Sequence, residues 1–467
     1  MTVNSVYKRP LTLLILGTLL SACTNDQPLL LLSPEDGEHL LGGNTTIIDQ
    51  TPSAFSYQAP VLTNDEILLF FTGNSLFNQN WVTAPASTTA RDGLGPMFNS
   101  RSCSGCHFKD GRGRAPEFAG EKSTGLLLRL SIGNGPHGAP IPDPNYGDQL
   151  QDQSILTVDT EADFEIIYEE IRGTYPDGMP YSLRKPNYRI VETAHGPVRA
   201  THISPRVANQ MIGLGLLDAI DENTMLSFAD ENDADGDGIS GRPNYVWNVA
   251  EQDLTIGKFG WKANQPNVLQ QVAGAFAGDI GITSSIFPDE NCPPNVNCDS
   301  LKNGGSPEIT DANLNKVAVY SSTLAVPARR NWEDQEVLMG RQLFRSLNCG
   351  GCHIPEMVTG QHPQIEGLSF QTIRPFTDLL LHDMGEGLAD NSQDFLATGR
   401  EWRTPPLWGI GLFYIVNGHT TYLHDGRARN LEEAILWHGG EAENSKQAFM
   451  NLSAEERALV IKFLNTL

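Results

Sequence analysis

The stretch Leu347-Asn348-Cys349-Gly350-Gly351-Cys352-His353 decides how the rest of the chain is read, and Ser102-Cys103-Ser104-Gly105-Cys106-His107 repeats it. Both contain C-x-x-C-H. Two thiols at this spacing reach the two vinyl groups of one porphyrin and form thioether bonds. The adjacent imidazole then sits under the iron as a ligand. A redox C-x-x-C pair or a zinc site is the plainer reading of one such pentapeptide. Neither needs a His at the same offset after each of two pairs, and the chain has only seven Cys. The sequence therefore predicts two covalent c-type haems. One is on Cys103 and Cys106 with His107 on the iron, and the other is on Cys349 and Cys352 with His353.

Working outward, each motif follows a helix-period segment that carries G-x-x-L-F: Gly73 to Phe77 in the first copy and Gly340 to Phe344 in the second. Each is followed, after a long excursion, by an Arg-led apolar segment rich in glycine, Arg206 to Gly215 and Arg403 to Gly411. This is an internal repeat. It predicts a mainly α fold of two cytochrome c-like domains, 61–225 and 331–467. Alternating stretches at Phe164–Ile171 and Tyr181–Val191 flank Pro176-Asp177-Gly178 and read as a β-hairpin excursion. A loop-rich insert fills 226–330. At the C-terminus, Ser453 with Glu456 three residues on forms a capping box for a last helix.

The insert holds Asp233-Ala234-Asp235-Gly236-Asp237-Gly238-Ile239. Alternating carboxylates with a turn glycine suit a hard cation, so Asp233, Asp235, Asp237 and the Ile239 carbonyl are candidate Ca²⁺ ligands. The twelfth loop position is Asn244 rather than an acid, and a solvated acidic turn is the competing reading. Cys292 and Cys298 are the pair expected to form a local disulfide in an oxidising compartment.

The N-terminus supplies that compartment. Lys8 and Arg9 precede a short apolar run, Leu11 to Leu20, too short to span a bilayer. Leu20-Ser21-Ala22-Cys23 then resembles a lipobox. Residues 1–22 are read as a lipoprotein signal peptide, Cys23 as the lipidated residue and 23–60 as a tether. Thr24 lacks the acidic inner-membrane retention signal, which favours the periplasmic face of a Gram-negative outer membrane, with the lipid as the only membrane attachment. The 467 residues are 39 % apolar and 19 % charged, which is a globular composition. A net charge of −24 excludes nucleic acid as a partner and suits a basic redox partner or a soluble surface.

Tyr422-Leu423-His424-Asp425-Gly426 and Leu431-Glu432-Glu433-Ala434-Ile435 resemble the tail of bacterial di-haem cytochrome c peroxidases. More closely, residues 65–467 resemble the di-haem oxidoreductase family of peroxidase type, also called thiol-oxidoreductase-like. Gly93 to Arg114, Ile212 to Ile220, Gly257 to Lys262 and Leu379 to Gly385 carry the likeness. In the peroxidases, the residue 14 positions after the tail His is the distal ligand of the C-terminal haem. The equivalent here is His438, so the resemblance implies a His353/His438 pair on the second iron. A helix-capping role for His438, and Met384 as the ligand, are the alternatives; His382 is a candidate to order the same pocket. For the first haem, the peroxidases carry a distal His 16 positions after the haem His, where this chain has Ser123. Its iron is left either five-coordinate or ligated by His137, His195 or His202.

The resemblance implies an oxidoreductase of peroxidase type. One haem would transfer electrons, and the other would meet peroxide or a small-molecule substrate. A small redox protein or a quinol-linked donor would supply the electrons. The alternative is a non-enzymatic electron-transfer cytochrome with two six-coordinate haems. Thiol oxidation is disfavoured because haem attachment and the disulfide leave no free dithiol. Arg112 and Arg114 are candidate propionate partners. Glu117, Glu169 and Glu170 are candidate acids, and Trp261 a candidate stepping stone between the haems.

Overall fold

Thr63 opens the first long helix, α1 (Asn64–Asn78), with a capping box: its hydroxyl accepts from the Glu66 N–H, and the Glu66 carboxylate accepts from the Thr63 N–H. The computed structural model describes residues 1–2, 32–118, 120–122, 125–293 and 296–467. The signal peptide and Cys23 therefore lie outside the described residues. After the first haem motif come β1 (Leu126–Ser131), the two arms of a hairpin, β2 (Asp163–Thr174) and β3 (Pro180–Val191), and β4 (His202–Val207). β1 pairs antiparallel with β4, placing Leu127 opposite Arg206 and Arg129 opposite Ser204. β2 pairs with β3 over its full length. The later helices are α2 (Val268–Ala275), α3 (Asp311–Ser322), α4 (Gln335–Ser346), α5 (Leu431–Trp437) and α6 (Ala454–Leu464). Asn267, Thr310, Asp334, Asn430 and Ser453 cap them with side-chain oxygens.

The internal repeat is a packing repeat. A Cβ at Gly73 would lie 2.1 Å from the Lys316 carbonyl oxygen, and one at Gly340 would lie 2.1 Å from that of Leu459. Glycine thus lets α1 meet α3, and α4 meet α6, backbone to backbone. The Phe four residues on closes each pair. Phe77 lies 5.1 Å from Tyr320 and 6.2 Å from His107; Phe344 lies 5.2 Å from Phe463 and 6.4 Å from His353. Each haem-motif histidine therefore rests on the same scaffold: a glycine-notched helix, a later helix laid on it, and an aromatic wedge.

Three expectations are corrected. The chain is not mainly α: it is 28 % helix and 18 % strand, a mixed and loop-rich fold. Among the described residues the strands form seven two-stranded sheets, and only α1, α3 and α4 reach 12 residues. With 45 Gly and 29 Pro, most helical runs are cut before a third turn. The second correction concerns the expected tether. Its described part is packed in the body: Leu41, Ala54 and Phe55 are fully buried, and Glu38 pairs with Arg329 and Arg341. The third is a boundary. α3 falls within the expected insert, yet it packs on α1 as part of the first haem scaffold. Ser33–Leu467 fold as one unit. No helix among the described residues is long and apolar enough to cross a membrane.

Candidate functional site

Each C-x-x-C-H motif opens onto its own cavity. Cys349, Cys352 and His353 line one of about 200 Å³ together with His438. His353 Nδ1 donates to the Phe376 carbonyl at 2.9 Å, and His438 Nδ1 donates to the Ala434 carbonyl at 2.7 Å. A carbonyl only accepts, so each ring carries its proton on Nδ1 and leaves a lone pair on Nε2. Burial keeps both rings neutral, pushing His353 down to about 4 and lowering His438 as well. His438 ends α5, and its bond to Ala434 does cap the helix; the cap uses one ring nitrogen and leaves the other free.

The other histidines of this cavity are committed. His382 bonds Glu441 Oε2 at 2.7 Å and Asp378 Oδ2 at 2.8 Å, and it lies 3.5 Å from Cys352 Sγ. Burial opposes charge on His382, but Cys352 and the two carboxylates outweigh it and hold its pKa well above the ordinary imidazole value. His424 stacks on Trp402 at 3.7 Å, and burial drives it down to about 3. Met384 also lines the cavity.

The first cavity is larger, about 550 Å³, and is lined by Cys103, Cys106 and His107. His107 Nδ1 donates to the Asn209 carbonyl at 2.7 Å, which again leaves Nε2 free. Among the described residues no second histidine lines this cavity. His137 stacks near Trp247, His195 lies against Tyr146, and His202 begins β4; none reaches it. Ser123 lies outside the described residues. Glu117, Glu169 and Glu170 are also away from both cavities, with Glu170 paired to Arg429 beside the hairpin.

All four motif cysteines are unpaired, and burial pushes Cys103, Cys106 and Cys349 up to about 12. Cys292 and Cys298 form a disulfide.

The two cavities share a wall. Trp261, Gln210, Arg403, Pro405 and Pro406 face both. Trp261 is fixed by a 2.8 Å bond from its Nε1 to the Val207 carbonyl, and its ring meets the edge of His424 at 6.4 Å. Arg112 does not serve the first cavity, as its place in the sequence suggests. Its neighbour Gly113 donates to the Ala208 carbonyl just after β4, and the guanidinium lines the second cavity, where it donates to the Leu423 carbonyl. Its Nε is buried without a partner. Arg403 donates to the Gly260 carbonyl at 2.8 Å. Neither arginine makes an ion pair among the described residues, and burial lowers both to about 10. Two buried guanidiniums without a counter-charge fit the carboxylates of a bound porphyrin. Arg114 pairs with Glu121 instead. Arg403 was legible only as part of the sequence repeat.

The acidic loop is arranged differently from the expected order. Asp230, Asp233 and Asp235 bring carboxylate oxygens within 4.8 Å of one another. Asp237 stays exposed and is not in that cluster; it accepts from the Ile239 N–H at 2.8 Å and from Asn348 Nδ2 at 3.3 Å, and Ile239 lines the second cavity.

A solved structure of Kuenenia stuttgartiensis hydrazine synthase, pressurised with 20 bar xenon, aligns over 98 % of this chain and 100 % of its own, at 14 % identity and a TM-score of 0.36. That likeness says nothing of this chain's chemistry. No curated protein matches the chain. The family model described as "Di-haem oxidoreductase, putative peroxidase" matches residues 38–467, which include both motifs and both cavities. The chain belongs to the di-haem oxidoreductase family, whose cofactors are haems.

Proposed function

We propose that this chain is an exported c-type oxidoreductase of peroxidase type with two unequal haem sites. One observation carries the reading. The second cavity offers two neutral imidazoles with Nε2 free, His353 and His438, whereas the first offers only His107 among the described residues. Cys103 and Cys106 anchor one haem and Cys349 and Cys352 the other, with His107 and His353 as the motif ligands. His438 closes the second site, which then suits electron storage and transfer. The first site keeps an open face, which suits binding of peroxide or another small oxidant. When bound, the haems supply one-electron chemistry at iron.

The protein's own contribution is orientation and exclusion. Backbone carbonyls of Asn209, Phe376 and Ala434 fix the ring planes and tautomers of the three ligand histidines. Arg112 in the second cavity and Arg403 in the shared wall hold propionates, and Trp261 lies in the wall between the sites. A small redox protein or a quinol-linked donor supplies electrons from outside. Lipidation at Cys23 and a periplasmic location rest on the N-terminal sequence, and Ca²⁺ in the acidic loop rests on Asp230, Asp233 and Asp235.

The test is to mix half-reduced holoprotein rapidly with hydrogen peroxide and follow both haems optically. Fast oxidation with peroxide consumed is the expected result. Two haems inert to peroxide, while still exchanging electrons with a small redox protein, would make the chain an electron-transfer cytochrome.

A further inference from the structure

An open iron cleaves peroxide slowly unless a nearby group moves a proton from one peroxide oxygen to the other. The carboxyls named from the sequence are away from the first cavity, so such a proton must move through another group in its walls. Besides Arg129 and Asp148, five carboxyl and guanidinium side chains line it; one of them, Glu290, is half-buried and engaged in an interaction of its own. Arg206 is paired with Asp394 at 3.0 Å, and Arg403 is bonded to carbonyls. Asp279 accepts from Gln149 at 2.8 Å and sits beside the Cys103 and Cys106 thiols, at the porphyrin edge where thioethers form. Asp289 lies exposed at the rim.

Arg129 and Asp148 differ from these. Their ion pair, 2.6 Å from Nη1 to Oδ2, lies in the cavity wall, and each keeps a third to a half of its side-chain surface open: 34 % for Arg129 and 48 % for Asp148. The pair stands on regular backbone rather than on a loose loop. Along β1 the side chains alternate: Leu126, Leu128 and Leu130 face the packed core, and Leu127 and Arg129 face the cavity. The segment 148–150 runs alongside β1. Leu130 N–H donates to the Asp148 carbonyl at 2.9 Å, and Leu150 N–H donates to the Leu128 carbonyl at 3.0 Å. β4, on the other edge of β1, leads directly to Asn209, whose carbonyl fixes His107. One continuous piece of sheet thus carries both the ligand histidine's anchor and the Arg–Asp pair.

We propose that Arg129 and Asp148 are the acid–base pair of the first haem site, acting on a peroxide bound there; this rests on the reading of that site as the open one. Asp148 takes the proton from the peroxide oxygen nearer the iron and returns it to the far oxygen. Arg129 donates hydrogen bonds to that far oxygen as the O–O bond breaks. Two electrons from the reduced haems and two further protons from solvent complete the conversion of one peroxide to two waters.

The experiment uses ferric and half-reduced holoprotein, wild type and the variants Asp148→Asn, Asp148→Glu, Arg129→Leu and Asp279→Asn. Cyanide is the equilibrium probe, because hydrogen cyanide must lose its proton to bind as the anion. In Asp148→Asn the rate of reaction with peroxide should fall about 10²- to 10⁴-fold. Cyanide association should slow and lose its dependence on an ionising carboxylate in the pH profile, and Asp148→Glu should restore part of both. Arg129→Leu should weaken cyanide affinity while the spectrum of the second haem stays unchanged. Unchanged cyanide kinetics and peroxide rate in a folded Asp148→Asn overturn the assignment, as does a loss that follows Asp279→Asn instead. If Asp148→Asn does not fold, Asp148→Glu and Arg129→Leu decide, and wild-type behaviour in both overturns it. Wild-type protein inert to both probes would remove the open-site reading itself, a failure distinct from that of the pair.

Discussion

The two haem cavities are built on one plan and finished differently. Both start from a glycine-notched helix, a phenylalanine wedge and a C-x-x-C-H histidine anchored through Nδ1 to a carbonyl. Beyond that, the second cavity is closed by α5, which delivers His438, and by Trp402, His424 and His382. The first is walled by strands and by α2 and carries an ion pair in place of a second imidazole. A repeated scaffold fixes where a cofactor sits; the non-repeated wall opposite it determines what that cofactor can do.

The sharpest way to break the contrast is to exchange the character of the second site. His438→Gly removes the proposed closing ligand without adding bulk. The second haem should change from low-spin to high-spin and gain cyanide binding, read by optical and EPR spectra. If it stays low-spin and unreactive, Met384 or another group is the ligand.

The shared wall gives the next largest effect. Arg403→Leu would leave a buried propionate without its partner, at a cost of about 3–5 kcal/mol. Chemical denaturation of holoprotein measures it. A change below about 1 kcal/mol would place the propionates elsewhere.

The walls should also respond to pH in opposite senses. Beneath the first cavity's wall, burial pushes Glu161 up to about 8, and its carboxylate accepts from the Gln151 N–H next to the Asp148 strand. Its folded-state pKa lies above the unfolded value, so the unfolded chain binds fewer protons between them. Stability falls as pH rises through that range. His424, at about 3, is the reverse case: the unfolded chain binds more protons, so stability falls as pH drops below the ordinary imidazole value. Each contribution is at most about 5 kcal/mol. Glu161→Gln should flatten the alkaline limb and His424→Phe the acid limb of a stability–pH profile, and a variant that moves the wrong limb refutes the assignment.

The smallest effect is at the acidic loop. Ca²⁺ roughly fivefold above its Kd should add about 1 kcal/mol, and Asp233→Asn should abolish the gain in thermal melts. No shift with Ca²⁺ would leave a solvated turn.

The legible parts of the molecule are those whose information is local. The two motifs, the capping box at Ser453 and the turn at Pro176–Gly178 each lie within a few residues. The 14-residue step from His424 to His438 was legible through the family resemblance, and α5 covers its second half. What the sequence hid depends on distant pairing. Arg129 meets Asp148 across 19 positions because 148–150 lies beside β1, and no periodicity marks that. Arg112 follows the first motif but serves the second cavity, since Gly113 bonds Ala208 and carries the chain across to Leu423. The mainly α expectation failed for a similar reason: strands of two to six residues gain their stability from non-local partners and leave little alternation to read.

The measurement that bears most directly on the inequality of the sites is low-temperature EPR of the fully oxidised holoprotein, before and after cyanide. The expected spectrum has one low-spin signal, from the His353/His438 site, that cyanide leaves untouched, and one high-spin signal that cyanide converts to low-spin. Two low-spin signals, both unchanged by cyanide, would contradict it.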